Sequence, residues 1–153
     1  MADVEAIKRL KSTYLRLLDT RDYVEMRGLL APGLKFTMGD SEAEPVTTTA
    51  DDYLRFAQER TGTAFTLHQA TNPEVLLGEA GRATGIWAMV DWVDDPDHGR
   101  SWVGHGHYYD TFAKSPDCTW TIASIRIERL RVRWLLPPSE NDLHHTTPPM
   151  TRD

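Results

Sequence analysis

Asp19 and His68 are far apart in the sequence, yet their side-chain types are those needed to move a proton together. Asp19 closes the run Tyr14-Leu-Arg-Leu-Leu-Asp19, and His68 lies inside Phe65-Thr-Leu-His68-Gln-Ala70. A carboxylate that holds one imidazole nitrogen fixes the ring's tautomer. It also supports the charge that forms when the other nitrogen accepts a proton, a step imidazole performs near neutral pH. An acid at the carboxyl end of a helix faces the negative pole of the backbone dipoles, so Asp19 needs a compensating cation. The candidates are an imidazolium from His68, or Arg16 and Arg21 in solvent. Tyr14 adds a hydroxyl: it donates to a substrate oxygen if its helix face borders a cavity, and packs in the core if it does not.

The elements that must position these groups follow from periodicity. Residues 4 to 18 place Val4, Ile7, Leu10, Tyr14, Leu17 and Leu18 at helical spacing, with Asp3 as the expected N-cap and Lys8, Arg9, Lys11 and Arg16 off the stripe. A second helix is expected from Asp22 to Leu30, broken by Pro32-Gly33. After it come a strand at Leu34–Met38, a polar loop through Thr49 and a third helix from Ala50 to Arg60. The remainder alternates as strands over Ala64–Ala70, Glu74–Leu77, Arg82–Val93, Ser101–Lys114 and Thr119–Trp134, with Asn72-Pro73 and residues 94 to 99 among the turns. Helices first and long antiparallel strands afterwards predict an α+β domain over residues 1 to 136. It would be a cone-like barrel in which N-terminal helices pack on a strongly curved, mainly antiparallel sheet. Residues 137 to 153 form a polar, Pro-rich tail.

Bulk properties narrow the function. A chain of 153 residues suits one domain, and a net charge of -6 leaves no basic excess for nucleic acid. No apolar run is long enough to span a membrane, the first residues lack signal-peptide character, and the cytoplasm is the expected compartment. The single cysteine, Cys118, excludes an intrachain disulfide framework. His105 and His107 are spaced for one-sided metal binding but lack an evident third ligand, so no metal is expected. No glycine loop of the phosphate- or dinucleotide-binding type occurs, and no cofactor is expected.

The order of elements resembles the SnoaL-like branch of the nuclear transport factor 2-like superfamily over roughly Val4 to Trp134. The resemblance rests on Ile7-x-x-Leu10-x-x-x-Tyr14-x-x-x-x-Asp19, on His68 followed by Asn72-Pro73, on Gly106-His-Tyr-Tyr-Asp110, and on Trp120-Thr-Ile before a basic final strand. It implies small lyases, isomerases and cyclases. Bile-acid dehydratases and the hexachlorocyclohexane dehydrochlorinase of that group use a His–Asp dyad placed like His68 and Asp19. The dehydratases also carry a tyrosine matching Tyr14 and a further carboxylate whose nearest match is Asp91. The dehydrochlorinase has an arginine late in a strand where this chain has Lys114, a departure that weakens transfer of its chemistry.

On the strand 101–114, Trp102, Gly104, Gly106, Tyr108, Asp110, Phe112 and Lys114 share one face, and its glycines leave room for a ligand. Tyr108, Asp110, Trp87, Phe112, Phe56 and Lys114 are therefore candidate substrate-binding residues. Asp91 either points inward after Trp87 and Met89 or opens the acidic turn that follows, with the turn preferred. The Arg126 to Arg133 series is expected to make surface cross-strand pairs, with one arginine in reach of a pocket mouth.

The resulting expectation is a cofactor-independent lyase or isomerase, preferably a dehydratase. It would act on a small apolar, steroid-like or polyketide-like ring, with His68, Asp19 and Tyr14 catalytic. The alternatives are a non-catalytic binding or assembly module using the same pocket, and a polyketide cyclase or epoxide hydrolase. A homodimer is expected through the outer sheet face, at Trp92, Trp134 and the His105–Tyr109 side.

Overall fold

The computed structural model describes residues 1–136; the Pro-rich tail lies outside the described residues. Helix α1 spans Ala2–Thr20 and buries Ile7, Leu10, Tyr14, Leu17 and Leu18 along one stripe. Asp3 is not its cap: the N-cap is Met1, while the Asp3 carboxylate accepts from Lys114 Nζ and Trp120 Nε1. The helix stops at Arg21, which takes a left-handed conformation at φ 59°, so Asp19 stands in the last turn. Helix α2 is shorter than its periodicity suggested, Tyr23–Arg27, and Asp22 caps it by accepting from the Glu25 amide. Helix α3, Ala50–Thr61, starts where Thr49 accepts from the Asp52 amide.

Among the described residues, six strands follow the order β2-β1-β6-β5-β4-β3 in one sheet. They are β1 (Leu30–Met38), β2 (Pro45–Thr47), β3 (Phe65–Leu77), β4 (Arg82–Asp95), β5 (Arg100–Lys114) and β6 (Trp120–Leu136). The expected antiparallel meander is β4-β5-β6, while β1 joins β6 in parallel. The sheet is mixed and open, with β2 and β3 at its edges, and the helices cover its concave face: an α+β architecture.

Two expected breaks are bulges inside strands. Pro32-Gly33 falls within β1, where the register against β6 shifts between Leu30 and Lys35. Asn72, at φ 50°, marks a shift in β3 against β4 between Thr71 and Glu74. In each case a turn-forming residue bends a paired strand and does not end it, which curves the sheet around the helices. The loop before α3 also contains β2, and β4 runs on to Asp95 before a single turn at Pro96–His98.

Candidate active site

Along β3 the two faces differ sharply. Phe65 and Leu67 are 59% and 43% exposed, whereas Thr66 is 4% exposed, so His68 shares the inward face with Thr66. The end of α1 packs against this strand, and His68 Nδ1 lies 2.6 Å from Asp19 Oδ1. The same carboxylate accepts from the His68 backbone N–H at 2.9 Å and from the Thr66 hydroxyl at 3.0 Å. These donors supply the compensation that the helix dipole demands. Arg21 plays no part, since its Nε goes to the Gly62 carbonyl. A carboxylate has only lone pairs to offer, so Nδ1 carries the ring proton and Nε2 is left with its lone pair.

A cavity of about 100 Å3 lies beside this pair, with His68 and Thr66 in its wall. The volume is several times what one water needs. Its apolar lining includes Phe36, Phe56, Val93 and Trp102. Tyr14, Tyr53 and Tyr108 also border it. The Tyr14 and Tyr53 hydroxyls hydrogen-bond one another, and either can donate. The Tyr108 hydroxyl is buried without a hydrogen-bond partner. Burial pushes all three phenols up, and the negative charge of Asp91 adds to the effect at Tyr108. They stay protonated and act as donors.

Asp91 is fully buried and points inward, not into a turn. It stands opposite His68 across the β3–β4 ladder, and its Oδ2 accepts two hydrogen bonds from Arg129, Nε at 3.1 Å and Nη2. Arg129 itself borders the cavity and lies over the Trp102 ring at 4.8 Å. Gly104 makes this possible, because a Cβ there would overlap Asp91 Oδ1 and crowd Arg129 Nε and Trp102. Arg129 is thus the one member of the basic β6 series that leaves the surface for the pocket wall.

The remaining candidates sit elsewhere. Asp110 does not face the cavity; its Oδ2 meets Lys11 Nζ at 2.8 Å, with both side chains sealed from solvent. The approach is poorly directed for a hydrogen bond and makes this an ion pair held by charge. The Lys11 ammonium lies 3.6 Å from the centre of the Tyr108 ring and 5.2 Å from that of Tyr14. Burial lowers the pKa of Lys11 and raises that of Asp110. Trp87 and Phe112 belong to the hydrophobic core, not to the cavity wall. Lys114 is at the opposite end of β5, clasping Asp3. The cavity's guanidinium groups come instead from Arg129, Arg100 and Arg60. Among the described residues no group of His, Cys, Asp and Glu is arranged to hold a metal ion.

Sequence reasoning missed Tyr53 and Lys11, and it left open which arginine of the 126–133 series reaches the pocket. Lys11 falls four residues after Ile7 and three before Tyr14, on the buried stripe and not off it. Arg129 continues the inward alternation of Ile125 and Ile127. Both signals were present in the spacing.

A family model described as SnoaL-like domain matches residues 1–126. Among solved structures, a protein from Novosphingobium aromaticivorans bearing the name of a scytalone dehydratase superposes with a TM-score of 0.76 at 17% identity, over 99% of this chain and 95% of that one. A type 2 hexachlorocyclohexane dehydrochlorinase gives 0.75 at 17% identity, over 88% and 89%. ActVI-ORFA from Streptomyces coelicolor gives 0.69 at 11%, over 84% and 98%. At these identities the likeness is one of fold.

Proposed function

Because the chain belongs to the SnoaL-like domain family, whose fold hosts several chemistries, we propose a function from the site: a cofactor-independent lyase of the dehydratase type. The observation that carries this reading is the 2.6 Å contact between Asp19 and His68 Nδ1 at the wall of an open, largely apolar cavity. His68 Nε2 takes a proton from a carbon next to a carbonyl, and the electron pair left behind forms the new double bond. The hydroxyl on the neighbouring carbon departs as water, carrying the proton that His68 returns. Asp19 stabilises the imidazolium between these steps. The Tyr108 hydroxyl, and whichever of Tyr14 and Tyr53 is not donating to the other, donate to the carbonyl oxygen as it gains charge. Arg129, held by the Asp91 that stands opposite His68 across the β3–β4 ladder, borders the same cavity and can support the departing oxygen.

The names of the dehydratase and the dehydrochlorinase among the neighbours support an elimination. A purely structural module would fill its pocket, and here Trp87 and Phe112 leave it open. The test is loss of water from a panel of ring-bearing β-hydroxy ketones, followed by mass spectrometry. His68→Ala should lower turnover by about 10²- to 10⁴-fold while ligand binding stays nearly intact; unchanged turnover rejects the role. The reading also includes a homodimer, supported by exposed Phe65, Leu67 and Trp92 on the outer face of β3 and β4. Light scattering that finds only monomer counts against that part.

A further inference from the structure

Lys11 and Asp110 form a charge pair that does not touch the cavity: both side chains are buried, and neither borders it. Such a pair adds little stability beyond what a well-packed apolar pair gives, because desolvating both charges offsets their attraction. Packing alone does not account for it, and its placement does. Lys11 lies one helical turn before Tyr14 on α1, and Asp110 lies two residues after Tyr108 on the inward face of β5. The ammonium therefore stands behind two rings that do border the cavity, 3.6 Å from the centre of Tyr108 and 5.2 Å from that of Tyr14.

The face of a phenol ring is electron-rich, so a cation pressed against it is attracted and draws density from the ring and its oxygen. A hydroxyl depleted in this way is a stronger donor, and a surrounding of low dielectric enlarges the effect. Tyr108 is placed to use it, since its hydroxyl is buried at the cavity wall without a hydrogen-bond partner. Tyr14 is placed less well: its ring is farther from the ammonium, and its hydroxyl is engaged with that of Tyr53. The charges of Asp91 and Asp110 both favour the protonated form of Tyr108, so the cation acts on donor strength and not on ionisation. Asp110, with Oδ2 at 2.8 Å from Lys11 Nζ, keeps the ammonium at the ring.

Resting on the elimination reading above, we propose that Lys11 is a positioning residue for that chemistry. Its ammonium, tethered by Asp110, fixes the Tyr108 ring and strengthens the hydroxyl that Tyr108 offers to the substrate's carbonyl oxygen.

The test reads the donor directly, from the infrared carbonyl stretch of bound 2-acetylnaphthalene, a ketone that cannot lose water. Binding to the unaltered protein should move the stretch to lower frequency. Tyr108→Phe should abolish most of that shift, and Lys11→Met/Asp110→Leu, which removes both charges together, should reduce it. Adding Tyr108→Phe to the paired variant should reduce it no further than Tyr108→Phe alone, a coupling that a merely structural Lys11 would not produce. Lys11→Gln/Asp110→Asn repeats the comparison with polar neutral side chains, should the apolar pair fail to fold. With a β-hydroxy ketone that turns over, the paired variant should lower kcat about tenfold at nearly constant KM, the scale of a desolvated cation–ring contact. No shift in the unaltered protein, a shift that survives Tyr108→Phe, or an undiminished shift in both neutralised pairs overturns the proposal. His68→Ala separates the two ideas: its carbonyl shift should persist while turnover falls. An intact infrared coupling without turnover on any β-hydroxy ketone would reject the elimination and uphold the link from Lys11 to the Tyr108 hydroxyl.

Discussion

Two acid–base pairs each take one member from α1, and they differ in what surrounds them. Asp19 and His68 are 14% and 11% exposed and His68 borders the cavity, while Lys11 and Asp110 are 1% and 0% exposed and neither reaches it. The first pair has two further donors on its carboxylate and a ring nitrogen with its lone pair unspent. The second is an ion pair at 2.8 Å whose approach is poorly directed for a hydrogen bond. A pair that opens on a cavity can exchange a proton with a ligand and reset. A sealed pair cannot, and its charge acts on the fold and on the tyrosine rings above it.

Breaking each pair in turn should therefore give opposite signatures. Replacing His68 by Ala should lower kcat by about 10²- to 10⁴-fold with little change in the urea midpoint, since general-base catalysis is lost but few core contacts are. Asp19→Asn should lower kcat in the same direction, with KM nearly constant, because the imidazolium loses its counter-charge. Lys11→Met should instead cost about 3 to 5 kcal/mol in urea unfolding, by leaving Asp110 buried without its cation. The Lys11→Met/Asp110→Leu double variant should recover most of that loss, because an apolar pair of similar volume needs no compensation. Recovery of stability without turnover would show that the sealed charge also serves the tyrosines.

How far the sequence revealed these two pairs follows from local periodicity. Asp19 was legible because a helix stripe ended on an acid, and His68 because it sat on an alternating run. Their meeting was not, since it depends on which face of β3 turns inward, and Phe65 and Leu67 look more suited to burial than Thr66. Tertiary packing overrode residue type at this edge strand. The Pro32-Gly33 and Asn72-Pro73 breaks were misplaced for a related reason: these residues bend a strand as readily as they end one when neighbours supply the ladder. Tyr53 was hidden in a charged helix start, Asp51-Asp52-Tyr53, where only the third residue turns inward.

The tyrosines separating the two pairs give a third, graded test. Tyr14, Tyr53 and Tyr108 have folded pKa values above the ordinary value of 10.0. The native state therefore holds these protons more tightly than the unfolded chain does. Their contribution is complete below about pH 10 and is lost as pH rises from there toward the folded values, at about 1.4 kcal/mol per pH unit for each phenol. Urea midpoints should hold steady up to that pH and then fall steeply, with phenolate absorbance from these residues appearing only on unfolding. Tyr14→Phe should flatten the fall by about one proton's share. An unchanged slope would mean that its hydroxyl is already open to solvent through the cavity.

The Asp91–Arg129 pair stands between the two extremes, with its acid sealed and its guanidinium 20% exposed at the cavity. Gly104→Ala addresses it without altering any charge. The added methyl would overlap Asp91 Oδ1 and press on Arg129 Nε and the Trp102 ring, so the carboxylate must rotate away from its position. Overpacking of this kind costs about 1 to 3 kcal/mol, less than stripping Lys11 from Asp110, because a side-chain end can yield where a lost charge cannot be replaced. A raised KM with kcat retained would place Arg129 with the ligand-holding groups. A lowered kcat would tie it to the proton-transfer site, since Asp91 and His68 are direct neighbours across the ladder. A stability change with neither function altered would move Asp91 and Arg129 into the company of the sealed pair, as a strut for β4 and β6.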